Sequence, residues 1–254
     1  MPIRAYNVLI SQIGAGYWLQ QPLWGEVANT PIIMGGNNLQ IVRLGETKAL
    51  PNPLPTDVTA YLVTRISAAQ SSAGSLLLGK LINLGSLDIS GASGTFTDGS
   101  AMPTITELGT SNITASAVFV EVTTALSGAP GSFTITYVDQ DGNAAETTTA
   151  QALGASAPVR SGGWVVLNSP DWGARDITAA ARSGGTTPTG TIKFWGMIPL
   201  TILPGTTSNV VWSENLLTGT FSLPRLGAGD MIGGFVFNNN TQAIVGDVFV
   251  VGDN

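Results

Sequence analysis

Apolar and polar residues alternate with a period of two in several short stretches of the chain, and helical periodicity is not sustained over any long segment. The clearest alternation lies in 132–137, where Phe133, Ile135 and Tyr137 fall on one face and serine and threonine fall on the other. Successive side chains of a strand point to opposite faces, so this pattern predicts a strand with one buried side.

A second stripe lies upstream, within 113–124. It is formed by alternating valines: Val118, Val120 and Val122. It ends at the Gly- and Pro-containing segment 127–131, which predicts a turn. Farther along, the Asp-Gly pair at 141–142 separates 133–138 from 146–149. Asp-Gly is favoured at the tip of hairpins, so we predict a hairpin here.

Other stretches rich in apolar and β-branched residues extend the series of predicted strands. They are 39–44, 60–66, 75–84, 164–168, 189–200, 216–222, 231–237 and 243–251. In 60–66 a helix capped by Asp57 is an alternative, but the density of β-branched residues favours a strand. Many short strands separated by Gly, Pro, Asn and Ser predict an all-β fold, namely an antiparallel β-sandwich or jelly-roll-like domain with long loops and an extended N-terminal arm.

Three prolines within 51–55 mark the clearest boundary, because they favour an extended path that does not join a β-ladder. We predict an N-terminal arm or peripheral segment over 1–55, a main β-sandwich domain over 56–204, and a C-terminal β segment over 205–254 that packs on the main domain. The segment 1–55 could dock on a neighbour or fold back on its own domain. The sequence leaves both alternatives open.

The composition of the chain mainly excludes classes of catalytic and metal-binding site. The 254 residues include no histidine and no cysteine, which excludes an imidazole base, a thiolate nucleophile, a Ser-His-Asp triad and metal sites built on those side chains. Charged residues make up 10% of the chain, against roughly 25% in an ordinary soluble domain. We therefore expect no catalytic residue, no cofactor and no metal site, and a function that depends on binding.

The charge distribution makes nucleic acid an unfavourable partner. The formal net charge is −6, and the ten basic residues are scattered singly without a cluster that could follow a phosphate backbone. No apolar run approaches the 18 residues of a membrane-spanning helix, so we expect no membrane insertion. Residues 1–18 carry one cation and a broken apolar stretch, which we interpret as mature sequence.

Two segments resemble ligand-binding loops but have simpler explanations. Residues 74–81, GSLLLGKL, come close to a phosphate-binding loop, but Leu81 stands where a hydroxyl would bind magnesium. A strand that contains glycines explains this segment. Residues 139–143, DQDGN, resemble the start of a calcium loop, but Ala144 and Ala150 occupy positions that require glycine and glutamate. A turn explains this second segment.

Carboxylates and tryptophans suggest a further candidate site. Asp171 and Asp176 flank Trp172 and could line a sugar platform or act as the acid and base of a glycosidase. A loop-ordering hydrogen bond explains Asp176 more simply. Four tryptophans could stack on carbohydrate: Trp164, Trp172, Trp195 and Trp212. Large aromatic side chains also suit cores and subunit interfaces, which we favour for these residues.

Four segments resemble structural proteins of tailed-bacteriophage virions, above all the β-rich proteins that decorate or cement capsids. They are 84–90 (LGSLDIS), 94–103 (GTFTDGSAMP), 121–126 (EVTTAL) and 131–142 (GSFTITYVDQDG). The resemblance covers 57–204. It implies a non-enzymatic protein, often a homotrimer, that is made in the host cytoplasm and sits on the outer capsid surface, where it ties major capsid protein subunits together.

Three hypotheses follow from the sequence. The first is a decoration or cement protein whose partners are the major capsid protein and itself, with Tyr17, Trp18 and Trp24 as docking residues because large rigid rings are effective interface anchors. The second is a tail-associated or receptor-binding module that contacts host glycans through Trp172 and the asparagine-rich turn 238–240. The third is a polysaccharide-degrading enzyme.

Overall fold

A computed structural model describes ten segments of the chain. They are 4–9, 39–43, 60–70, 74–102, 117–159, 161–205, 211–215, 225–226, 231–237 and 244–253. Side chains are described in 79–102, 118–159 and 161–199. These segments contain strands, turns and bends and no helix. Accordingly, the described part of the chain has no helix long and apolar enough to cross a membrane.

The described segments contain sixteen strands. They are β1 (Arg4–Leu9), β2 (Leu39–Arg43), β3 (Ala60–Gln70), β4 (Gly74–Asp88), β5 (Thr95–Asp98), β6 (Ala117–Ala129), β7 (Ser132–Asp139), β8 (Glu146–Thr147), β9 (Gln151–Ala152), β10 (Ser161–Trp164), β11 (Ala174–Ser183), β12 (Thr186–Gly205), β13 (Val211–Asn215), β14 (Arg225–Leu226), β15 (Met231–Phe237) and β16 (Ile244–Asp253). The predicted all-β class is confirmed.

The chain divides into two compact units. Unit 1 comprises Met1–Glu26, Val42–Lys80 and Pro199–Asn254, and unit 2 comprises Val27–Ile41 and Leu81–Ile198. Unit 1 contains an antiparallel sheet in the order β1-β16-β3-β13, and β14 also pairs with β3. The predicted boundaries at residues 55 and 204 stay a prediction.

Unit 2 is an antiparallel β-sandwich. One of its sheets places β12, β6, β10 and β2 side by side, and β4 pairs with β5. The other sheet has the order β11-β7-β8, and β9 also pairs with β7. Both sheets contribute residues to one core, in which the rings of Phe133 and Phe194 lie 5.7 Å apart.

Strand β7 follows the predicted alternation. Phe133, Ile135 and Tyr137 are fully buried, and the residues between them are partly exposed. The predicted hairpin is also present, since Tyr137 pairs with Glu146 across the Asp-Gly turn. Burial of these large side chains on one face commits β7 to the core of unit 2.

The structure decides two predictions about local secondary structure. The segment 60–66 lies in strand β3, so the helix alternative is wrong. The predicted strand 164–168 is also wrong, because β10 ends at Trp164. Beyond that point the N–H groups of Val166 and Asn168 donate to the side chains of Gln151 and Tyr137, so they do not take part in a β-ladder.

Most of the predicted N-terminal arm lies outside the described residues, apart from β1 and β2. The predicted strand 216–222 also lies outside them. Among the strands the sequence prediction missed, β11 is the longest. Its sequence, ARDITAAARS, contains a single β-branched apolar residue, and two register shifts interrupt its pairing with β7.

Candidate binding surface around Trp172

The loop 165–173 runs from β10 to β11 and is held by side chains from the sheet of β7, β8 and β9. Gln151 exchanges two hydrogen bonds with the backbone of Val166, at 2.9 and 3.0 Å. Asn168 Nδ2 donates to the carbonyl of Thr147 at 2.5 Å. The bonds from Gln151 satisfy backbone groups of Val166, which lies outside any strand, and all three bonds fix the path of the loop.

Tyr137 anchors the next part of this loop. Its hydroxyl accepts a hydrogen bond from the N–H of Asn168 at 3.2 Å and donates one to Asp171 Oδ2 at 2.5 Å. Burial of the phenol, assisted by the hydrogen bond to the Asp171 carboxylate, raises the pKa of Tyr137 to about 12. The hydroxyl therefore remains a protonated donor throughout the neutral range.

Gln140 joins the turn after β7 to the loop before β11. Its Nε2 donates to Asp171 Oδ1 at 3.3 Å and to Asp141 Oδ2 at 3.4 Å, and its Oε1 accepts from the N–H of Trp172 at 3.3 Å. One amide side chain thus contacts three neighbouring residues. It uses both the donor and the acceptor capacity of the amide.

Arg175 reaches the same place because of a β-bulge. The register of β11 on β7 passes from Ala174 opposite Asp139 to Asp176 opposite Val138, which leaves Arg175 as the extra residue. Bulges redirect a side chain relative to the ladder. The guanidinium Nη2 donates to the carbonyl of Gln140 at 2.5 Å.

Gly142 provides the space that this guanidinium occupies. A Cβ at residue 142 would lie 2.8 Å from Arg175 Nη1, and the glycine φ of +92° belongs to the left-handed region. Both the turn and the position of Arg175 therefore favour a residue without a side chain.

Trp172 is the exposed centre of this arrangement. Its side chain is 63% exposed, although its backbone is bonded to Gln140. We call Trp172, Gln140, Asp141, Asp171 and Arg175 the Trp172 cluster. It combines an exposed indole with carboxylate acceptors and a guanidinium donor on a hydrogen-bonded support.

The Asp139 side chain explains the calcium-like segment as a turn. Its carboxylate accepts hydrogen bonds from the N–H groups of Asp141 and Asn143 and from Asn143 Nδ2, each at 2.8 Å. Burial alone would raise the pKa of Asp139, but these hydrogen bonds outweigh it and hold the pKa below its ordinary value. The carboxylate is thus committed to its own turn. Within the described segments, no three acidic side chains are grouped as a metal site.

Asp176 does not share the hydrogen bonds of Asp171. It lies in strand β11, not in a loop, and its Oδ1 accepts from the N–H of Ile177 at 2.8 Å. Burial raises the pKa of Asp176, and the nearby carboxylate of Asp98 raises it further, while the bond from Ile177 opposes the change. The two carboxylates that flank Trp172 in sequence therefore have separate partners.

The other tryptophans differ from Trp172. Trp195 is 1% exposed and donates from Nε1 to the buried carboxylate of Glu121 at 2.8 Å. Trp164 is partly buried and lies 4.1 Å from the ring of Phe119, centroid to centroid. The side chain of Trp212 lies outside the described residues. Core packing is thus confirmed for Trp195 and is wrong for Trp172, for which a subunit interface stays a prediction.

The remaining sequence candidates have clear outcomes. The segment that resembles a phosphate-binding loop lies in strand β4, as the simpler explanation predicted. The predicted docking residues Tyr17, Trp18 and Trp24 lie outside the described residues, and so does the turn 238–240. Their roles stay predictions.

Gln140, Asp141 and Arg175 are the three members of the cluster that the sequence interpretation did not place at this site. Gln140 follows β7, about thirty residues before Trp172, and only the folded chain brings the two together. The bulge that directs Arg175 has no reliable sequence signal. The Asp-Gly turn beside Gln140 was the one local clue.

Comparisons with known proteins add little to this geometry. No family model matches the chain, and no curated protein matches it. Among solved structures, the cryo-EM structure of the Merkel cell polyomavirus virus-like particle is similar with a TM-score of 0.22 and 11% identity, over 98% of this chain and 73% of that chain. A likeness at that score carries no argument about fold or function.

Proposed function

We propose that this protein is a structural component of a virion, which binds the outside of a capsid and holds capsid subunits together. The observation that carries the proposal is how the chain uses its buried polar side chains, among the residues whose side chains the structure describes. Seven are buried: Lys80, Glu121, Asp139, Thr148, Gln151, Ser161 and Arg182. Each makes at least one hydrogen bond or other polar or electrostatic interaction.

Four of these side chains stabilise loops and turns: Asp139, Gln151, Ser161 and Arg182. Arg182 illustrates the pattern, because its guanidinium donates to the carbonyls of Gly91, Ala92 and Gly184. A catalytic group needs a reacting atom within hydrogen-bond reach, whereas five of the seven bond to backbone groups and Glu121 bonds to the indole of Trp195. This supports a body that works through its shape and surface.

The sequence supports the same proposal. The resemblance of 57–204 to proteins that decorate capsids indicates the partner, the major capsid protein. The absence of histidine and cysteine and the low content of charge suit surfaces buried between chains, where each buried ion would need a partner. Several modest contacts on one rigid body, repeated in a homotrimer, would give high avidity.

The proposal is tested by adding the purified full chain to capsids that lack it. We expect the protein to bind the outer surface, to sediment as a trimer, and to raise the temperature at which capsids rupture. A Trp18→Ala/Trp24→Ala variant should sediment as the wild type does but dissociate from capsids faster. Capsids that rupture at the same temperature with and without bound protein would contradict the proposal.

A second candidate is a tail-associated or receptor-binding module that contacts host glycans. It is favoured by one observation, the 63% exposure of Trp172. The two candidates differ in a simple measurement, since only the first requires capsids to become more resistant to heat.

A further inference from the structure

Trp172 presents its indole to solvent on a backbone that hydrogen bonds hold in place. The side chain is 63% exposed, and the N–H of the residue donates to Gln140 Oε1. Covering an aromatic ring of this size contributes strongly to binding, because it removes a large apolar surface from water. Since the supporting backbone is already ordered, the protein loses little backbone conformational entropy when a ligand covers the ring.

Hydrogen-bond acceptors lie close to the backbone of Trp172, to which Gln140 connects them. The carboxylates of Asp141 and Asp171 are each contacted by Gln140 Nε2, at 3.4 and 3.3 Å. A carboxylate has about four lone-pair positions. Both groups therefore keep the capacity to accept hydrogen bonds from a ligand.

A hydrogen-bond donor completes the arrangement. Arg175 holds the carbonyl of Gln140 through Nη2. Its Nη1 lies over Gly142, and no hydrogen bond from Nη1 to a described residue accompanies it. The bulge in β11 brings this guanidinium to the same turn that carries Gln140 and Asp141.

This chemistry identifies a class of ligand. An exposed aromatic ring that shares one hydrogen-bonded support with acceptors and a donor suits a pyranose, whose face of C–H groups covers an aromatic ring while its hydroxyls bind carboxylate and guanidinium groups. Within the cluster, Asp141 and Asp171 contribute two carboxylates against the one guanidinium of Arg175. Because like charges disfavour a partner, an anionic sugar is a poor ligand.

We propose that the Trp172 cluster binds an uncharged hexopyranose unit of a glycan. The site does not depend on a virion. The proposal therefore rests on the second candidate function, whose ligand it specifies, and it is compatible with the first. On a virion it would add adhesion to sugar-coated surfaces to the holding of capsid subunits.

Fluorine NMR of the full chain labelled with 5-fluorotryptophan tests the proposal directly. The chain has six tryptophans, and the resonance that disappears in Trp172→Phe belongs to Trp172. The probes are methyl glucoside, methyl galactoside, methyl mannoside and their oligosaccharides, together with lactose and 3′-sialyllactose as a pair that differs by one anionic sugar. We expect uncharged probes to shift the Trp172 resonance, and lactose to bind at least as well as sialyllactose.

Variants separate a sugar site from an ordinary exposed side chain. Trp172→Ala should weaken binding of the best uncharged probe by about tenfold or more, and Trp172→Tyr should retain part of it. Val166→Ala is the matched control, because Val166 is 60% exposed on the same loop but has no ring. It should bind as the wild type does.

Three results would overturn the proposal. The first is the absence of any shift of the Trp172 resonance with uncharged probes at concentrations up to about millimolar, a range that still detects weak binding. The second is tighter binding of sialyllactose than of lactose. The third is a shift that depends on protein concentration without sugar, which would assign the surface to a second copy of the chain. None of these depends on capsids, so the virion proposal can fail or succeed separately.

Discussion

The phenol of Tyr137 donates a hydrogen bond to Asp171 at 2.5 Å, and the same oxygen accepts the N–H of Asn168. A fully buried ring of the central strand β7 thus fixes two points of the loop that carries Trp172. The core of unit 2 therefore positions the loop, because Tyr137 belongs to both. The exposed side chain of Trp172 therefore extends from a backbone that hydrogen bonds hold in place.

Replacing Tyr137 with phenylalanine tests this anchor. The variant keeps the buried ring but leaves the N–H of Asn168 and the carboxylate of Asp171 without the hydroxyl, so we expect a loss of about 1–3 kcal/mol in the free energy of unfolding. Urea denaturation measures it. Thr136→Val is the matched control on the same strand, since its bond to Thr147 is exposed and long at 3.3 Å. Equal losses in the two variants would contradict the anchor.

The two tryptophans Trp195 and Trp172 should differ sharply when each is changed to phenylalanine. Trp195→Phe removes a donor from the fully buried carboxylate of Glu121 and leaves a void, which should cost about 2–4 kcal/mol. Trp172→Phe alters an exposed ring and should stay within about 0.5 kcal/mol of the wild type. Denaturation midpoints of the two variants, measured in parallel, check this difference. A large loss in Trp172→Phe would mean that its ring is covered in solution.

Asp176 should make stability depend on pH in a defined direction. Burial and the Asp98 carboxylate raise its pKa, so the ionised form is disfavoured by folding, and the cost appears as the pH rises through the pKa of the folded state. Asp176→Asn should therefore stabilise the protein at pH 7 by about 0.5 kcal/mol, a small gain because solvent screens the group. The gain should vanish below about pH 3, where the carboxyl is neutral in both states.

An independent measurement identifies the cause of this shift. In Asp98→Asn the pKa of Asp176, followed by NMR titration of its carboxyl carbon, should fall towards its ordinary value. An unchanged pKa would show that burial alone is responsible.

Gly131 and Gly91 form a pair that separates backbone strain from steric overlap. Both have φ near +80°, but a Cβ at Gly131 would lie 2.3 Å from the carbonyl oxygen of Ser183, whereas a Cβ at Gly91 would meet nothing within 4 Å. Gly91→Ala should cost about 1–2 kcal/mol from the left-handed conformation alone. Gly131→Ala should cost about 2 kcal/mol more, because backbone must move. Thermal unfolding of both variants gives the comparison.

Local patterns predicted much of the fold. Alternation placed Phe133 and Ile135 in the core, and the apolar run 231–237 became strand β15 with the same bounds. Strand β11 was missed because alanine supplies little local preference, and its place is decided by pairing with β7. Local sequence describes a strand well where one face carries large side chains.

The candidate site was only half predictable for a related reason. Asp171 and Trp172 are neighbours in sequence, and their combination already suggested a sugar platform. Gln140 reaches them through a contact across 32 residues, and Arg175 through a bulge. Both depend on how two strands meet, which no short stretch of sequence encodes.

The guanidinium of Arg182 has a consequence for the lifetime of the folded state. It joins the carbonyls of Gly91 and Ala92 to a strand about ninety residues away, and contacts of such separation close late in folding, since the intervening chain must first be ordered. An interaction that forms after the rate-limiting step of folding lowers the unfolding rate more than it raises the folding rate. This contact therefore lengthens the lifetime of the folded state even where it adds little to the rate of folding.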